Sequence, residues 1–164
     1  FRGVPTILVI ALLGFGAPAL QLSWVPLSTT FWGIVALTLV YTAYVSEVYR
    51  AGIESVHPSQ NAAARSLGLS HWQSLQKVVL PQAVRRVIPP LLNDFIGLQK
   101  DTALVGFLGS VEAFKQSQID AAATFNYTPF VAAAVLFVAL TIPLARFTDW
   151  LVLRDRRRRQ ATGV

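Results

Sequence analysis

The sequence predicts an all-α, polytopic membrane protein, with about four spanning helices and one short helix that stays outside the bilayer. Three observations point there. The 164 residues are 54% hydrophobic and only 13% charged, with a mean hydropathy of +0.52, which is more apolar surface than a soluble chain has reason to carry. Phe31 to Val45 contains no charge at all. Polar residues gather instead in defined stretches, chiefly Ser59 to Pro81, with apolar runs on both sides.

In chain order, Pro5 to Ala19 is apolar, with Gly14, Gly16 and Pro18 toward its end, and is somewhat short of the ~20 residues a spanning helix needs. The chain starts in mid-pattern without a Met, so residues ahead of Phe1 are expected to complete this span. Gln21 to Thr30 reads as a loop from its Ser, Thr and Pro content, with Trp24 suited to a bilayer interface. Phe31 to Tyr49 is the second span. It holds Tyr41 and Tyr44 and has Glu47 near its end.

Gly52 and His57-Pro58 then lead into the polar stretch. Ser59 can cap a short helix running to Leu67, an alanine run follows, and Gly68 supplies the stop. A second helix restarts near Ser70 and carries Trp72, Leu75, Val78 and Val79 at helical spacing. Trp72 itself is read as an interfacial anchor or packing residue. Two short helices meeting at a glycine make an elbow from Ser59 to Pro81.

Val87 to Leu98 turns apolar again but is interrupted by Pro89-Pro90, Asn93 and Asp94, and it continues through Lys100-Asp101-Thr102 to Leu108. A span this polar should face the protein interior or a cavity. Gly109 to Thr128 is expected to be a polar loop, and Pro129 to Leu153, containing Pro143, is the last span. Arg154 and Arg156 to Arg159 follow.

Charge and motifs narrow the function classes. The net charge is +6 and the pI about 10.3, yet the bases are interrupted by apolar spans and end in one cluster, which suits the cytoplasmic flank of a membrane helix better than nucleic acid. If the elbow is cytoplasmic, Arg50, Arg65, Lys77, Arg85, Arg86 and the terminal arginines share its side, as does Arg2, leaving Lys115 outside. There is no cysteine. His57 and His71 lack the spacing of a second metal ligand. Neither a Gly-x-x-x-x-Gly-Lys-Ser/Thr phosphate loop nor a dinucleotide fingerprint occurs, so energy for any pumping must come from a partner.

Ala63 and Ala64, then Gly68, then Val78, Leu80 and Pro81 fall at the intervals of the EAA loop of ABC-importer membrane subunits. Arg2-Gly3-Val4-Pro5 resembles the RGTP that opens a membrane helix in polar amino-acid permeases. Ala43 to Ile53 resembles that family's AYxAEIxRGGI, and Lys100 to Leu104 its KDTSL. The chain therefore resembles the permease subunit of a polar amino-acid ABC importer. One departure is visible: the family's Glu falls at Ala62 here, which removes an acid suited to a helix N-terminus.

The resemblance implies a single permease domain over residues 1–164, with a further spanning helix ahead of Phe1. It implies no enzymatic activity or cofactor of its own, a bacterial inner-membrane location with a cytoplasmic C-terminus, and a membrane-lipid environment. Its partners would be an ATP-binding cassette ATPase, a second permease subunit, identical or homologous, and an extracytoplasmic solute-binding protein. Ala63, Ala64, Arg65, Gly68, Leu80 and Pro81 would couple to the ATPase, whose closure would move the spans as rigid bodies.

Lys100, Asp101 and Thr102 would line a path that holds an amino acid's ammonium and carboxylate, although a charge pair capping a helix end reads equally well. Asn93 and Gln99 could share that path, while Asn93 with Asp94 could instead serve backbone groups freed by the prolines. A self-sufficient channel or secondary transporter is the rival reading. It would need charges in several spans, whereas here they concentrate in one.

Overall fold

The computed structural model describes residues 3–161, and every regular element among them is helical. The opening Arg2 and the side chains of Arg156 to Arg159 lie outside what is described. The helices are α1 (Thr6–Ala19), α2 (Thr29–Glu54), α3 (Pro58–Ser66), α4 (His71–Ser74), α5 (Leu80–Asp101), α6 (Ala113–Thr124) and α7 (Thr128–Ala161). A π-turn over Leu75–Val79 joins α4 to α5, and a 3-10 segment, Thr102–Leu108, follows α5.

Two helices are long and apolar enough to cross a membrane by themselves: α2, and Thr128–Arg154 of α7. Only 6% of the apolar window of α7 is buried within the chain, so lipid or another protein must cover the rest. The remaining two expected spans differ. At 14 residues, α1 reaches about 21 Å, short of the ~30 Å hydrocarbon core. Its length partner, α5, has 22 residues but carries Arg85, Arg86, Asp94, Lys100 and Asp101.

The third span begins earlier than its apolar run suggests, at Leu80 rather than Val87, and runs unbroken through Pro89 and Pro90. Each proline removes an N–H that residue i−4 would have used, so the carbonyls of Arg85 and Arg86 lose their helical donors. Just before the prolines the helix packs closely through buried Val87 against Gly52 of α2. The expected loop at Gly109 to Thr128 is also corrected, since it contains α6. The Glu112 carboxylate caps this helix, accepting from the backbone N–H of Phe114 and of Lys115, both at 2.7 Å.

The chain divides into two compact units. The first comprises residues up to Tyr44 and Phe95–Ala145. Its core is Val9 and Ile10 of α1, Ala36, Leu37 and Val40 of α2, and Val105 and Leu108 of the 3-10 segment. The segment ends at Gly109, whose φ of +86° reverses the chain.

The second unit comprises Val45–Asp94 and the chain from Arg146 onward. Val56, Val79 and Ala83 form its core, with Leu75 packed against them. Arg86 donates to the Ser55 carbonyl just past the end of α2 and, at 3.1 Å, to Ser55 Oγ, satisfying an acceptor that helix ends leave open.

Candidate functional site

Two places carry the residues singled out by sequence, one in each unit. The first is the elbow. Its helix α3 starts two residues earlier than a Ser59 cap would set it, because Pro58 occupies the first helical position, where a missing N–H is harmless. His57, not Ser59, is therefore the cap. Its Nδ1 accepts from the Ser59 backbone N–H at 3.2 Å and lies 2.7 Å from Ser59 Oγ.

At the other end of α3 the Gly68 N–H donates to Arg65 O (3.0 Å) and the Leu69 N–H to Ala64 O (3.2 Å). Gly68 has φ +85°, with open space where a side chain would stand. The next helix opens on a reciprocal cap: the Gln73 N–H donates to Ser70 Oγ (3.2 Å) and the Ser70 N–H to Gln73 Oε1 (2.9 Å). This is the Ser restart the sequence predicts.

Two residues that sequence reasoning passed over lock the elbow. Ser74, fully buried, donates to Asn61 Oδ1 at 2.6 Å, tying α4 back onto α3. With Ser70, His71, Gln73 and Lys77 around it in the sequence, Ser74 carries no signal that marks it as buried. Ala64 is buried on this inner side, whereas Ala63, Arg65, Gly68, Leu80 and Pro81 are exposed. Leu67 and Trp72 add apolar surface at 80% and 63% exposure. Such a patch on a helix pair, with Arg65 exposed beside it, suits contact with another protein.

The second place is the end of α5 in the first unit. Lys100 and Asp101 do not form the expected pair, because neighbours on a helix project about 100° apart. The Asp101 carboxylate accepts instead from the Tyr41 hydroxyl at 3.1 Å, while Lys100 is exposed. Thr102 Oγ1 donates to Gln99 O at 2.6 Å, which tightens the helix as it passes into the 3-10 segment. A 3-10 stretch of this length, seven residues, is uncommon and often marks a hinge.

Both amide atoms of Gln99 are buried without a hydrogen-bond partner. Helical spacing turns Gln99 away from Asp101 by roughly 160°, so the two do not share one surface. Asn93 is exposed and belongs to the second unit. Among the described residues no three His, Cys, Asp or Glu side chains gather as a metal site. The arrangement offers one oriented carboxylate beside Gly97 and Leu98, which can receive an ammonium or guanidinium group.

Residues 1–157 match the family described as the inner membrane component of binding-protein-dependent transport systems. The chain is 36% identical over 143 residues to the "Probable amino-acid permease protein YxeN" of Bacillus subtilis (strain 168), covering 87% of this chain and 64% of that protein. It is 34% identical over 145 residues to the arginine transport system permease protein ArtQ of the same organism, covering 88% and 65%. A solved structure described as an amino acid ABC transporter with histidines superposes with a TM-score of 0.83 at 34% identity, covering 95% of this chain and 71% of that one. The chain thus spans about two thirds of the length of the relatives it matches.

Proposed function

Because the chain belongs to the family of inner-membrane components of binding-protein-dependent transport systems, we propose that it is the membrane-spanning subunit of an ABC importer for a polar amino acid. ATP is hydrolysed by a separate ATPase subunit, and a solute-binding protein outside the membrane delivers the substrate. A second permease subunit completes the path and covers apolar helix surface. The relatives' names, amino-acid permease and arginine permease, support the substrate class.

The observation that carries this reading is the elbow. It is a stapled helix pair, too short and polar to span, that presents Ala63, Arg65, Leu67 and Gly68 on its outside. In the same unit α4 passes through the π-turn directly into the start of α5, with no loop between them. A push on the elbow is therefore delivered to the first turns of α5. The elbow and the C-terminal arginines face the cytoplasm on this account, in line with the bias of basic residues.

Affinity purification of the full-length protein from bacterial membranes tests the reading. An ATPase is expected to co-purify with the wild type, and Leu67→Asp, which puts a charge in the docking face, is expected to lose it while still reaching the membrane. Retention of the ATPase by the Asp variant would remove the elbow from the interface.

A further inference from the structure

In the first unit, Tyr41 of α2 reaches Asp101 of α5 through its hydroxyl. Gly97 lies one helical turn before Asp101, on the same face of the helix. A methyl group at Gly97 would stand 3.0 Å from Tyr41 Oη, while the nearest ring carbons are 3.9 and 4.0 Å away. The ring is also held from behind. It meets Tyr44 edge to face, with centroids 5.6 Å apart and planes at 87°, and packs against the Val9–Leu108 core. A methyl at residue 97 would therefore press directly on the hydroxyl, which would have to give by a few tenths of an ångström while its ring is held.

We propose that Tyr41 is a positioning residue for Asp101, fixing the carboxylate in the orientation that receives the substrate's ammonium group, and that Gly97 is the clearance that makes this possible. The proposal rests on the assignment of Asp101 to the substrate path. A hydroxyl donating to Oδ2 occupies one of about four acceptor directions of a carboxylate, so Oδ1 is left for a cationic ligand. Holding the side chain in one rotamer before the ligand arrives removes an ordering cost from binding.

The test is equilibrium binding of L-glutamine and L-arginine to the full-length permease assembled with its ATPase, in the absence of the binding protein. Tyr41→Phe is expected to raise Kd roughly tenfold, the scale of a hydrogen bond to a charged group, with the number of sites per complex unchanged. A merely structural role would lower the number of sites instead. Gly97→Ala is expected to match it. The double variant should bind like Tyr41→Phe alone, because without the oxygen the added methyl meets no atom of that ring closer than 3.9 Å.

Wild-type affinity in Tyr41→Phe, or losses that add in the double variant, would overturn the proposal. Should Gly97→Ala fail to assemble, Tyr41→Phe decides alone. Asp101→Asn separates the two levels. If it abolishes binding while Tyr41→Phe binds normally, only the positioning role falls. If it binds normally, the substrate-path assignment itself falls.

Discussion

A side chain at Gly52 has nowhere to go. A methyl there would stand 2.1 Å from Val87 Cγ1 and 3.5 Å from the Ala83 carbonyl, and Val87 is itself buried. Gly52→Ala is expected to destabilise the second unit by about 1–3 kcal/mol, the usual scale of overpacking, and Val87→Ala in the same chain should recover most of the loss. Thermal unfolding of the detergent-solubilised protein reads both. From sequence Gly52 looks like punctuation between a span and the elbow, since spacing alone does not reveal which helix will lie across a glycine. The same holds for Gly97, which has no motif to mark it and gains meaning only from Tyr41, 56 positions away in the chain.

At the scale of elements, local signals were legible where a residue's own chemistry ends a helix, and hidden where the tertiary fold decides. Gly68 and Ser70 act as their residue types suggest, one as a left-handed stop and the other as a reciprocal cap. Ser59 loses its expected capping role to His57 because Pro58 takes the first helical position. The π-turn has no signature in its Leu, Gln, Lys and Val residues. Pro89-Pro90 looks like a break, yet a packed membrane helix can absorb it.

The helix α6 was concealed by its polar composition and by a cap, Glu112, outside the favoured Ser, Thr, Asp and Asn set. That cap is open to measurement. Glu112→Ala removes two charge-assisted bonds and should weaken the first turn of α6 by about 1–2 kcal/mol. Faster hydrogen exchange at the Phe114 and Lys115 amides, with α2 unchanged, is the expected result.

For the whole molecule, the charge distribution and the elbow make linked demands. The terminal arginines and the elbow should lie on the cytoplasmic side, since bases are retained there. The chain has no cysteine, so Ala161→Cys creates a single reporter. It is expected to resist a membrane-impermeant thiol reagent in intact cells and to react once the membrane is opened. Labelling in intact cells would reverse the orientation and move the elbow away from any cytoplasmic ATPase.

Coupling through the elbow is the central claim, and Gly68 bears on it most directly. Its φ of +85° strains any side chain even where space is open, and a valine there costs on the order of 1–3 kcal/mol, besides placing bulk on the face meant to dock. Ala62 offers the contrast. It is exposed and stands where the resembled family has an acid, so Ala62→Glu should be tolerated or should strengthen docking. The decisive measurement is amino-acid transport and ATPase activity of the reconstituted complex, comparing Gly68→Val with Ala62→Glu and wild type. Loss of transport in the valine variant, with ATPase activity either missing or no longer responsive to substrate, is the predicted result; near-normal coupled transport in that variant would contradict the account.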